Sequence, residues 1–293
     1  MRIELKHGAY TAAVDTRGGE LVSFRDEEGV EYIWGGDPSY WPGRNPNLFP
    51  VVGSLVDGKV SVDGRVCKMG RHGFARQSEF TVAEQGEDYA VLELRDSPET
   101  LAQYPFPFVL RVRHQMIDSG FSTQFEVRNP GGDDLLFCVG GHTGFNCPFK
   151  AGERFEDYRL VFDEVEDAQS IVPSALGHMS ARREHILDHT DTIVLNHGLF
   201  DRLDTVIFEG LRSKRVTLRH KDGGRGIRMD FSQFPMIAFW TMANANAPYI
   251  CLEPWHGCAA VEGEGGEFAD KPHAIRLAPG GDKTLKYTVE LVP

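Results

Sequence analysis

The chain has 293 residues, 41% hydrophobic and 25% charged, with a formal net charge of −12. That composition supports a sizeable globular core, and the acidic balance excludes the basic surface that nucleic acid and anionic membrane require of a partner. Five cysteines, odd in number and without CxxC spacing, read as free buried thiols in a reducing, cytoplasmic compartment.

Along the chain, helical periodicity is scarce and short runs of period-two alternation recur between Gly, Asp, Asn and Pro turns. Met1–His7 enters a strand-like pattern at once, with no apolar leader segment, and no run approaches the ~18 apolar residues of a membrane span. Strands are expected at Tyr10–Asp15, Lys59–Val62, Ala90–Arg95, Phe108–Ile117, Phe121–Arg128 and Leu135–Val139. Further strands follow at Arg215–His220, Ile227–Phe231, Met236–Trp240, Tyr249–Leu252 and Thr284–Leu291. Asp57-Gly58 and Asp63-Gly64 signal tight turns, and Lys221–Gly226 a hairpin loop. One short helix is expected over Ser97–Tyr104, with Ser97 as cap and Pro98 in the first turn. The polar stretch Asp188–Arg202 reads as a long loop. No linker, repeat or low-complexity tract divides the chain, so residues 1–293 are read as a single all-β domain, a large antiparallel sandwich.

Three distant segments each place a titratable group among glycines and aromatics: Arg71–Arg76, Gly140–Asn146 and Cys251–Gly257. His142, after a strand, is either a core histidine bonded to backbone or an acid exposed to a cleft. His72 lies between Arg71 and Arg76, whose charges oppose a further proton on the ring; the plainer alternative is an exposed basic loop. Glu253 closes an apolar run, where burial would raise its pKa and suit it to act as a base. Arg44, Asn47, Asp204 and Trp240 sit in polar–aromatic settings that suit hydroxyl binding and sugar stacking, though each is also compatible with packing. Glu184-His185-x3-His189 lacks the HExxH order of a zinc helix and reads as solvated loop. The loops Gly223–Gly226 and Gly263–Gly266 lack the strand–helix setting of a phosphate site. Two imidazoles and a carboxylate point to acid–base chemistry on a polar ring such as a sugar, without metal or redox cofactor.

Together His72–Arg76, Gly140–His142 and Glu253–Trp255, with Asn47–Pro50, Gly53 and Arg276–Gly280, resemble the aldose 1-epimerase (galactose mutarotase) superfamily, and its bacterial branch with His-Gly-Phe-Ala-Arg in particular. The resemblance covers about residue 10 to the end. It implies a β-sandwich with the site on a concave face, Glu253 taking the proton of the anomeric hydroxyl, His142 protonating the ring oxygen and His72 orienting it. Arg44 and Asp204 would bind hydroxyls. The archetype has Leu-His-Gly-Gly where this chain has Arg-His-Gly-Phe. Relatives with arginine-rich pockets act on hexose 6-phosphates, so Arg71 or Arg76 would meet a phosphate. Residue 253 and the imidazole at 142 are then expected to face each other across a gap the width of a pyranose. Two rivals remain: a non-catalytic sugar-binding domain on the same fold, and a glycosidase using Asp204 and Glu253.

Overall fold

Turn chemistry sets much of the strand order. Asp63 and Gly64 both take positive φ, 48° and 77°, the geometry whose twist matches the flanking strands, and they fold Lys59–Val62 back on Arg65–Lys68. Likewise Lys221–Arg225 turns Arg215–His220 onto Gly226–Asp230. In strand Val109–Ile117, Leu110, Val112, His114 and Met116 are buried while alternate residues are partly exposed, as period two requires of a sheet with one covered face. The computed structural model describes residues 1–293.

Fourteen strands form one antiparallel sheet. Its order begins at Val139–Gly140 and passes through Tyr249–His256, Met236–Trp240, Thr205–Glu209 and Tyr158–Pro173. It continues through Arg215–His220, Gly226–Asp230, Asp282–Val292, Gly120–Arg128, Val109–Ile117, Tyr89–Arg95 and Thr81–Gln85. Thr143–Asn146 also pairs with Tyr249–His256, and Met179–Val194 with Tyr158–Pro173. A three-stranded sheet of Arg2–His7, Tyr10–Asp15 and Glu20–Arg25 and two small ribbons complete the molecule. The core is one cluster of 78 buried residues, with Phe121 and Tyr287 from one half of the large sheet and Phe208 and Phe239 from the other. This is the all-β sandwich expected from the sequence.

Three local expectations need correction. The run Leu135–Val139 is two strands, Leu135–Phe137 and Val139–Gly140, paired with different partners. Tyr249–Leu252 continues to His256, so Glu253 lies inside a strand, not at its end. Asp188–Arg202 is no loop. Its first part finishes the 16-residue strand Met179–Val194, and its last part belongs to the helix His197–Leu203. Polar residues face solvent on both sides of that hairpin arm, which hides the strand period, while Asn196 caps the helix by accepting from Leu199 N at 2.8 Å. The first helix is as capped as expected but shorter, Pro98–Leu101. All five cysteines are free and buried, and no helix is long and apolar enough to cross a membrane.

The segment after the Lys59–Lys68 hairpin is pressed against the core. Phe74 N and Ala75 N both donate to Phe49 O, at 3.1 and 3.2 Å. Gly73 has φ of +71°, and a Cβ there would stand 2.2 Å from Phe49 O. A Gly73→Ala variant is therefore expected to lose about 2–4 kcal/mol of unfolding free energy from backbone strain and overpacking. Urea denaturation would check it; a loss under about 0.5 kcal/mol would show that the segment can yield.

Candidate active site

His142 stands between Val139–Gly140 and Thr143–Asn146, both of which pair with Tyr249–His256. Because Thr143 is in register with Leu252, the residue before Thr143 meets the residue after Leu252. Thr143 is itself anchored, its Oγ1 donating to Asn45 Oδ1 at 2.8 Å. The result is a direct contact, His142 Nε2 to Glu253 Oε2 at 3.2 Å, with both side chains nearly excluded from solvent. The expected pyranose-wide gap between them does not exist. Adjacent strands hold them side by side.

These two groups, with His72, Arg71, Arg76, Asp204, Trp240 and Trp41, line a cavity of about 260 Å³. His72 enters from the loop after the hairpin, with φ of +66°. Its backbone N–H donates to Gly53 O at 2.9 Å and its Nδ1 accepts from Gly53 N at 3.0 Å. That acceptor role places the proton of the neutral ring on Nε2. Asp204, also at positive φ (62°), closes the helix His197–Leu203 and accepts from Thr205 Oγ1 at 2.9 Å. Non-glycine residues in such conformations persist only where the surroundings enforce them.

Burial dominates the electrostatics. It pushes Glu253 well above the usual carboxylate range, with Arg71 and Trp255 opposing and Asp204 adding to the rise. It pushes His142 down to about 3, Arg76 and Arg71 contributing, and His72 well below its ordinary value, His142, Arg71 and Arg76 contributing. Both members of the His142–Glu253 pair thus favour their neutral forms. Arg71 and Arg76 form no ion pair within 4.0 Å. Burial weakens the hold of Arg76 on its proton, with Glu20 strengthening it and Arg71 weakening it further. Glu20 is itself raised to about 7 by burial, against a hydrogen bond from the Asn45 backbone.

Of the residues singled out in the sequence, seven meet here: His72, His142, Glu253, Arg71, Arg76, Asp204 and Trp240. Two do not. Arg44 turns away, its Nε donating to Gly35 O at 3.0 Å. Asn47 is buried scaffolding, with Nδ2 donating to Gly18 O and Gly19 O at 2.9 and 2.7 Å. Both fasten loops behind the site, work that a polar residue beside aromatics does as readily as ligand binding. Sequence reading missed the wall made by Pro173, Gly177 and Met179 at the hairpin tip, which only the folded topology brings here.

His142, Cys251 and Glu253 offer three potential metal ligands within 4.8 Å of one another. Burial holds the Cys251 thiol well above its usual pKa, so the trio retains protons more readily than a cation. A second trio, Asp167, His185 and Asp188, is exposed on the hairpin arm, and His185 Nε2 lies 2.6 Å from Asp167 Oδ1. The segment around His185 is strand, not the turn its sequence suggested.

A family model described as Aldose 1-epimerase matches residues 1–287. The chain belongs to the aldose 1-epimerase family. Its relatives include the chromosomal Protein LacX of Lactococcus lactis subsp. lactis, 35% identical over 306 residues and matched along the whole of both chains. The plasmid form of that protein is 34% identical over the same span. Among solved structures, a galactose mutarotase related enzyme from Lactobacillus acidophilus superposes with a TM-score of 0.94 at 27% identity, covering 100% of this chain and 98% of the other. A galactose mutarotase-like protein from Lactobacillus casei gives 0.93 at 28%, covering all of both.

The depressed histidines make a stability prediction. His114, outside the cavity, is held to about 4 by burial and bonds Gly19 O and Thr123 Oγ1. His142 is held near 3. Unfolded, both titrate near 6.5, so below that pH the unfolded chain binds more protons and stability falls with acidification. The slope is at most ~1.4 kcal/mol per pH unit for each histidine. His72, likewise depressed, adds to the decline; Glu253 and Glu20, both raised, act oppositely, losing stabilisation as pH rises above the ordinary carboxylate range, so the three histidines outweigh the two carboxyls. Urea midpoints measured from pH 6.5 to 4.5 should fall, and His114→Gln should flatten the decline. Equal slopes for variant and wild type would mean that His114 is charged in the fold.

Proposed function

We propose that the protein interconverts the α and β anomers of an aldose bearing an anionic group, by acid–base opening and closing of its ring. The observation that carries this is the 3.2 Å contact between His142 Nε2 and Glu253 Oε2 inside the cavity. The anomeric hydroxyl and the ring oxygen of a hemiacetal are bonded to the same carbon. An acid and a base that touch each other therefore suit the two oxygens better than groups a ring-width apart.

The proton balance suits a pair nearly excluded from solvent. Glu253 carboxylate beside His142 imidazolium, and Glu253 carboxylic acid beside neutral imidazole, hold the same number of protons and the same total charge. In ring opening Glu253 takes the proton of the anomeric hydroxyl, the carbonyl forms, the bond from the anomeric carbon to the ring oxygen breaks, and His142 Nε2–H protonates that oxygen. The pair passes from one tautomer to the other with no net charge entering or leaving. Rotation about the first carbon–carbon bond and the reverse transfers close the ring on the other face. His72, its proton fixed on Nε2 by the Gly53 contact, serves as a neutral donor to the sugar. Asp204 accepts from hydroxyls, and Trp240 borders the ring.

The anionic group follows from Arg71 and Arg76. Two guanidiniums share a cavity wall without a carboxylate partner within 4.0 Å, and Arg71 adds to the cost of the charge on Arg76. A phosphate or carboxylate on the sugar resolves that repulsion with charge-assisted hydrogen bonds.

Glu253→Gln should retain sugar binding and lose roughly 10²–10⁴-fold in catalysed anomer exchange, read by polarimetry or exchange NMR; an unchanged rate would remove Glu253 as the base. The wild-type rate should hold a plateau, falling on the acid side only below the ordinary histidine range and on the alkaline side above the ordinary carboxylate range. Arg76→Met should raise KM for a hexose 6-phosphate roughly 10–100-fold and leave that of the neutral hexose little changed. Equal effects on both sugars would refute the anion assignment.

A further inference from the structure

Resting on the acid–base reading above, we propose that Trp41 is the face on which the His142 imidazolium forms, a positioning residue that speeds proton delivery rather than gripping the sugar. Trp41 lies 4.9 Å from the His142 ring, centroid to centroid, at an interplanar angle of 31°. Trp240 and His72 meet the same imidazole nearly at right angles, at 5.8 and 5.6 Å. Trp41 is the nearest of the three rings and the one closest to parallel with it.

The indole is held there by its surroundings. Trp34 Nε1 donates to Trp41 O at 2.8 Å, fixing the backbone of the loop. Tyr249 packs nearly parallel to Trp41, 5.6 Å away at 28°, and Trp240 meets it edge-on at 5.4 Å. Gly43 leaves room for the ring: a Cβ there would stand 2.5 Å from Trp41 Cζ2. A loop tied at its backbone and cleared beneath its side chain holds one ring against another.

The chemistry explains the need. His142 is the proton donor to the ring oxygen, so its charged form must be reached during each turnover. The charged and titratable groups around it are Glu253 and Cys251 from the neighbouring strand, the latter held as a thiol by burial, Asp204, and His72, Arg71 and Arg76 from the loop. Arg71 and Arg76 oppose the imidazolium, and the His142 side chain is only 9% exposed. An indole face attracts a cation without adding a titratable group, most strongly when the cation is desolvated. It stabilises the charged state and leaves the neutral one nearly untouched, which is the condition for raising kcat rather than lowering KM.

The test compares Trp41→Leu, Trp41→Phe and Gly43→Ala by anomer-exchange NMR across pH, with thermal melts to confirm folding. Trp41→Leu should lower kcat roughly 3–30-fold with KM changed less than about 2-fold. Trp41→Phe should recover part of the loss, because phenyl retains a weaker face. Gly43→Ala, which keeps the indole but displaces it, should lower kcat in the same direction. A raised KM with kcat intact would make Trp41 a sugar platform and overturn the inference, as would equal rates for Leu and Phe. A second readout is independent of turnover: the ¹⁵N shift of the His142 ring, titrated toward acid, should show protonation at lower pH in Trp41→Leu than in wild type. Identical titrations overturn the inference even if the wild-type protein proves inactive, whereas inactivity alone overturns only the proposed function.

Discussion

Everything at the site depends on placing a carboxylic acid and an imidazole in contact with both side chains nearly excluded from solvent. Separately, each buried group would cost several kcal/mol in its charged form. Together, His142 and Glu253 can hold one mobile proton between them and remain neutral as a unit. The strands carrying them are locked by backbone pairing at Gly140–Trp255 and Thr143–Leu252, so the contact is a property of sheet register. A slip of one residue would turn Glu253 to the other face of the sheet.

Around that pair the protein uses backbone geometry to fix side-chain roles. His72 and Asp204 adopt conformations that few non-glycine residues take, and each is tied by a short local contact, to Gly53 and to Thr205. Strain of this kind is tolerable because the large core offsets it. Arg71 and Arg76 belong to the same wall, with no carboxylate within 4.0 Å of either, though Glu20 supports the charge on Arg76 from further away.

Much of this was legible in the sequence, and what was not has physical causes. Strands such as Arg215–His220 and Met236–Trp240 match their expected limits because each is a short, largely apolar run, buried over consecutive residues and flanked by turns. The hairpin arm Tyr158–Val194 escaped notice because much of it is solvated on both faces, leaving no alternation to read. Glu253, His142 and His72 stood out through their glycine and aromatic neighbours. Arg44 and Asn47 stood out for the same reason, yet they bond backbone behind the site. Local composition tells that a polar group is needed, not which way it points. The contact between Glu253 and His142 depends on register between segments more than a hundred residues apart, which no local pattern encodes.

The arm has a further consequence. Its far end, Pro173 through Met179, borders the cavity, while Glu253 belongs to Tyr249–His256 and His142 stands between the two short strands paired with it. Part of the cavity wall is thereby carried on a different piece of backbone from His142 and Glu253. Lengthening or reshaping the arm's tip would change the outline of the cavity and leave the register that joins the pair standing.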